Sequence, residues 1–305
     1  MSSRVQVVAA LLLLCCACVS SAAPSRSVPS FDPTKTKMGE IQAKGRLIVG
    51  IPSDYYPFGF VRAGKARGFT AALGGLVARA LGVTARYVPL PADRLLAAVD
   101  SGRADLVFPM TPITQTAVAA HPFSDPYYIA HQRLLVPQGS AVQQVTDLGG
   151  NRVCSAIDPE TEIALDRLEP NVKLLSVQHA SECAAPLRSG RVAAATAADV
   201  ALFALRAKLP GSRLVGDRLT TEGYGAAVNA CDGGLAQFVS RVIGTAKTDG
   251  DWTRLYERWI RPASGSTYVP DPPALTVIDA WDLFPPQPGA PSPTPVVCPS
   301  RGAAS

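Results

Sequence analysis

Few side chains in this 305-residue chain are placed to do chemistry, and those few suit binding better than catalysis. Tyr55, followed by Phe58 and Phe60, offers aromatic faces that either stack on a ligand or, for the two phenylalanines, fill a core. Thr111 and Thr114 set hydroxyls in a turn, where they serve a bound solute or the turn itself. Asp158 and Glu160 precede a helical stretch; two carboxylates there either receive a cationic group or cap the helix against its positive end. Asp199 opens another helical stretch and faces the same choice between ligand and N-cap. No GxSxG, His-based triad or phosphate-binding glycine loop occurs, so no catalytic residue is expected. With three histidines and no zinc-type spacing among Cys154, Cys183, Cys231 and Cys298, neither a metal nor a cofactor is expected.

The N-terminus sets the address of these groups. Arg4 precedes the apolar run Val7 to Leu14, which is too short for the roughly 20 residues a spanning helix needs and fits a secretory signal. Two processing routes stay open. Cys18, after the small Ala17, can become the lipidated first residue of an anchored protein, with Cys15 and Cys16 as rival sites; or cleavage follows Ser21-Ala22-Ala23. The other four cysteines suit an oxidising envelope as two disulfides. Cys154 and Cys183 share a predicted lobe and are expected to pair, leaving Cys231 with Cys298 by elimination. A net charge of +5 without any Lys/Arg block argues against nucleic acid as a partner.

Hydrophobic patterning supplies the scaffold. Residues 45–50, 85–89 and 105–109 read as strands; 69–82 and 93–101 read as helices ended by glycine. The same alternation returns over 151–195, and helices follow at about 199–209, 233–248 and 251–260. This order predicts α/β layers. Residues 24–37 read as a polar tether, and the Pro-rich stretch from Pro262 reads as a polyproline-like extension in which Trp281 and Phe284 could dock on the body.

Taken in order, Tyr55-Tyr-Pro-Phe-Gly-Phe60, Gly68-Phe69, DRLLAAVDSGRADLVFPMTPIT (93–114), FSDPYY (123–128), TDLGGNRVC (146–154), LRSGRV (187–192), Tyr224-Gly-Ala-Ala-Val-Asn229 and DGDWTRLYERWI (249–260) resemble extracellular solute-binding proteins of the polar amino-acid type, over about residues 45–261. The N-terminus, cysteines and tail look most like actinobacterial glutamine/glutamate-binding lipoproteins. The resemblance implies a periplasmic-binding-protein fold: two α/β lobes, with two crossing strands at the hinge near Leu134–Gln138 and Thr221–Ala226. The expected division is a signal peptide over 1–18, a tether over 19–44, lobe one over 45–136 plus 223–261, lobe two over 137–222, and a tail over 262–305. It implies an envelope-anchored protein with a small polar ligand and an ABC transporter permease or membrane sensor as partner. Tyr55 falls at the family's aromatic wall, and Thr70 in the stretch where the family has GFDxD. The family's carboxylate-clamping Arg and ammonium-binding Asp fall on Ala117 and Ala198, so Asp199 is the nearest replacement for the latter. Asp158-Pro159-Glu160 replaces a small turn that offers backbone N–H groups. Two alternatives share the fold: an envelope interaction module without a solute, or a dehydratase-type enzyme.

Overall fold

The computed structural model describes residues 28–156, 159–283 and Cys298, the side chains of 159–162, 164, 281 and 282 excepted. In chain order the first elements are α1 (Lys37–Ala43), β1 (Arg46–Pro52), β2 (Asp54–Tyr55), β3 (Gly59–Arg62), β4 (Lys65–Arg67), α2 (Phe69–Ala80), β5 (Thr84–Leu90), α3 (Leu95–Asp100), β6 (Leu106–Val107) and α4 (Gln115–Ala120). Then come β7 (Tyr128–Ala130), β8 (Gln132–Val136), β9 (Arg152–Ala156), α5 (Pro159–Leu168), β10 (Lys173–Val177), α6 (Ala184–Arg188), β11 (Ala194–Ala198), α7 (Asp199–Ala207), β12 (Arg213–Val215) and β13 (Glu222–Tyr224). The chain continues through α8 (Gly233–Thr248), α9 (Asp251–Ser264) and α10 (Val277–Asp282).

The apolar run Leu47-Ile-Val-Gly-Ile51 makes β1 the centre of a parallel sheet ordered β5-β1-β6. Strands of parallel sheets are covered on both faces, which explains why this run lacks polar alternation. Helix α2 lies close on this sheet because Gly74 has no side chain; a Cβ there would meet Val49 Cγ1 at 2.7 Å. Three further strands, β2 to β4, form a small antiparallel sheet beside it.

A second sheet is ordered β10-β9-β11-β8-β12, with β8 antiparallel to both of its neighbours. The Cys154–Cys183 disulfide ties β9 to the 3-10 turn Ala180–Cys183, and both cysteines are buried. The two sheets are linked by β7 and β13, which pair antiparallel with Tyr128 opposite Tyr224 and Ala130 opposite Glu222.

Three expectations change here. The first crossing lies at β7, not near Leu134–Gln138, because Leu134, Leu135 and Val136 are wholly buried within the second sheet as part of β8. The segment expected to be tether to residue 44 already holds α1, capped by Thr36 Oγ1 accepting from the Gly39 N–H at 3.0 Å and anchored by Ile41. Nor is the described part of the C-terminal stretch polyproline-like throughout, since it holds helices, although it lies on the body as the surface form of that expectation has it. Helix α9 runs through Pro262 to Ser264, and α10 docks on the hinge. Ala280 of α10 is wholly buried, and a Cβ on Gly223 would come within 2.6 Å of its Cβ. The Val277 N–H donates to Asp125 Oδ1 at 2.9 Å. Cys298 is joined to Cys231, so both expected disulfides form. Phe284 lies outside the described residues, as does the Trp281 side chain.

Candidate functional site

Tyr55 ends β2 and stands where the two lobes meet. With Asp54 and Asp93 it lines a cavity of about 200 Å³ whose opposite wall carries His179, Ala204 and Lys208. The cavity therefore holds two carboxylates, an ammonium, an imidazole and one aromatic face. Burial, and secondarily the charge of Asp54, raises the Tyr55 phenol pKa, which keeps the ring neutral.

Phe58 and Thr70 are core residues rather than cavity walls. Phe58 is wholly buried between Tyr128, Phe69 and Phe203, with ring centroids at 4.9, 6.2 and 6.3 Å. Its role is to join the lobes, since Phe203 belongs to α7. Thr70 is wholly buried, and its hydroxyl donates to the Phe58 carbonyl at 2.9 Å. The Phe69–Thr70 backbone hangs on the same turn because Gly68, at φ 114°, lies so close that a Cβ would meet the Phe58 carbonyl oxygen at 2.3 Å.

Thr114 is the N-cap of α4; its Oγ1 accepts from the Ala117 N–H at 3.1 Å, while Thr111 is exposed nearby. Ala117, in the first turn of α4, and Ala198, the last residue of β11, carry no charge. Asp158 and the Glu160 side chain lie outside the described residues.

Asp199 is the first residue of α7, following an N-cap that is Ala198, so it does not cap the helix by its side chain. It is 6% exposed and faces the crossing strands. The Tyr128 hydroxyl donates to its carboxylate, yet Oδ1 is buried without a partner. Desolvation dominates, with the charge of Glu222 adding to it, and Asp199 is pushed up to about 8 despite Arg133 nearby. Glu222 is itself held by Thr220 Oγ1 at 2.8 Å and Tyr224 Oη at 3.1 Å.

A second cavity, of about 350 Å³, opens behind the hinge at this carboxylate. His131, Arg133, Arg218 and Tyr256 line it together with Asp199. Sequence reasoning missed the first four: Tyr256 sits in the stretch 249–260, which marks the family but not this wall, and His131, Arg133 and Arg218 have no motif around them. Their common neighbourhood arises only when β8, α7 and α9 meet. Among the described residues no cluster of His, Cys, Asp and Glu suits a metal ion. No described helix is long and apolar enough to cross a membrane.

Comparison with known proteins matches this architecture. The chain is 25% identical over 256 residues to the ABC transporter glutamine-binding protein GlnH of Bacillus subtilis (strain 168), covering 82% of this chain and 93% of the relative. It is 28% identical over 237 residues to the L-cystine-binding protein TcyJ of Escherichia coli (strain K12), covering 76% and 89%. Among solved structures, the ancestral amino acid-binding protein AncCDT-1, a precursor of cyclohexadienyl dehydratase, superposes with a TM-score of 0.62 at 31% identity, covering 73% of this chain and 99% of that one. The P235GK mutant of ArgBP from T. maritima gives 0.60 at 29%, covering 73% and 98%. These are two-lobed amino-acid-binding proteins, and the periplasmic-binding-protein fold expected from the motifs is the one present. A family model matches residues 47–262, and the chain belongs to the bacterial extracellular solute-binding proteins, family 3.

Proposed function

We propose that this protein is an envelope-anchored receptor that captures a small polar amino acid between its lobes, for an ABC importer or a membrane sensor. The observation carrying this reading is Tyr55, an aromatic wall on a cavity shared by both lobes in a chain of this family. Relatives named for glutamine, cystine and arginine support an amino acid as ligand. A zwitterion needs groups of both signs in a water-poor cleft, and Asp54, Asp93, His179 and Lys208 supply both signs. Because Ala117 and Ala198 offer no fixed clamp, the ligand's charges fall to these residues, to the turn around Thr111 and Thr114, and to Asp158 and Glu160. Lobe closure is then the signal that a permease or sensor reads. Lipidation at Cys18 supplies the anchor.

Titration calorimetry of the purified protein against the twenty common amino acids tests this. One or more bind, and Tyr55→Ala weakens binding about tenfold, the equivalent of one good aromatic contact. Absence of binding by every α-amino acid overturns the reading. Detergent-phase partition of the expressed protein, lost in Cys18→Ser, checks the anchor separately.

A further inference from the structure

We propose that the cavity behind the hinge is a second ligand site, built for a small zwitterion of the α-amino acid class and distinct from the inter-lobe cavity at Tyr55. Three features carry the assignment. The first is size: about 350 Å³ lies within the range of ligand pockets, roughly 300–1,000 Å³, and exceeds what isolated waters need. The second is an orphan. Asp199, more than nine-tenths buried, lines this cavity, and its Oδ1 is buried without a partner. Buried acceptors are nearly always paired, so an unpaired one on a residue beside a void calls for a donor that reaches it by a small shift of the wall. The third is a pair of guanidinium side chains on the walls. Arg133 and Arg218 line the same void; Arg133 gives one Nη2 bond to the Gly216 carbonyl at 3.2 Å and keeps a buried Nε–H without a partner. Among the described residues neither guanidinium is in an ion pair.

The chemistry follows. A guanidinium fork holds a carboxylate through parallel hydrogen bonds, and Asp199 Oδ1 accepts from an ammonium. His131 adds no charge at neutral pH: burial lowers its pKa, and its Nδ1 is bonded to the Thr220 carbonyl at 2.9 Å. Tyr128 and Tyr256 provide the apolar sides. Other titratable groups near Asp199 are Glu222, which is hydrogen-bonded, and Asp271 on the opposite rim. An ammonium beside Asp199 favours its ionised form, so binding near pH 7 releases a proton.

The site touches β7, β8, α7 and α9, together with the segment Ser264–Pro273 that covers it. A bound zwitterion therefore contacts the hinge and parts of both lobes at once, and its occupancy biases them toward the arrangement in which these walls meet.

The three histidines provide the test. His131 lines this cavity, His179 lines the one at Tyr55, and His121 is held against Asp100 away from both. In ¹³C-histidine-labelled protein, glycine, L-serine and L-arginine are titrated while the three imidazole Cε1–H signals are followed. Acetate and methylammonium serve as half-ligands. At least one amino acid shifts the His131 signal saturably, neither half-ligand matches it, and Arg218→Ala and Asp199→Asn each weaken the response at least tenfold while the His121 signal reports an intact fold. Calorimetry in buffers of different ionisation enthalpy reads the proton release. The proposal is overturned if His131 stays still with all three amino acids, if acetate reproduces the shift, or if the shift follows His179 unchanged in both variants. A response at His179 alone sinks this site and leaves the receptor reading intact; a response at His131 alone supports this site, and the receptor reading then stands or falls on His179 across the twenty amino acids.

Discussion

Asp199→Asn removes one ionisable group while keeping the shape and the hydrogen bond from Tyr128, so it isolates the electrostatic state of a buried carboxylate. An ordinary Asp titrates near 3.9 in the unfolded chain, and burial in the folded protein pushes Asp199 up to about 8. A raised folded pKa contributes stability that is fully present at about pH 3 and lost as pH climbs toward 8. Over that window the unfolded chain releases the proton while the folded chain holds it. The loss runs at about 1.4 kcal/mol per pH unit, so at pH 7 the wild type has lost on the order of 4 kcal/mol through this residue. The asparagine variant loses nothing by this route. Urea denaturation followed by tryptophan fluorescence, at half-unit steps from pH 4 to 8.5, reads the difference. The variant gains on the wild type steadily to about pH 8, and the gap is flat above it. A gap that does not change with pH would mean that Asp199 is ionised in the folded protein, held by Arg133, and the reasoning from burial would fail.

Three other outcomes follow. Replacing Cys154 and Cys183 together by alanine costs about 3.5 kcal/mol, from the loop entropy of a bridge spanning 29 residues, measured as a shift in denaturation midpoint. Phe58→Ala opens a cavity where three rings converge and costs about 3–5 kcal/mol, with no change in ligand affinity that instability does not explain. Gly223→Val drives a side chain into Ala280 and detaches α10; thermolysin then cuts near Leu275–Ile278 at least tenfold faster than in the wild type, and equal rates would refute the contact.

Repeating strands and helices were legible because their signals are local. The run from Leu47 to Ile51 and the helical spacing of Leu73 and Val77 each declare a buried face. The first crossing was not legible: Tyr128–Ala130 is three residues long, whereas the neighbouring Leu134-Leu135-Val136 reads as a stronger strand and belongs to a sheet centre. The aromatic cluster at 55–60 identified Tyr55 but could not say that Phe58, three residues on, points into the core. Asp199 stands beside the empty Ala198 position, yet its direction depends on α7 packing against β8 and α9. The docking of α10 had no periodic signal, since one buried alanine against one glycine leaves no trace in hydropathy.

The Cys231–Cys298 bridge gives that last contact a further meaning. It closes a covalent ring of chain through α8, α9, the cover of the rear cavity and α10. A single peptide-bond cut anywhere inside this ring leaves one molecule, and on a non-reducing gel the nicked and intact forms run together. Only a reductant sets the severed piece loose, so outside the cell, where reductants are scarce, damage to the hinge cover does not shed it.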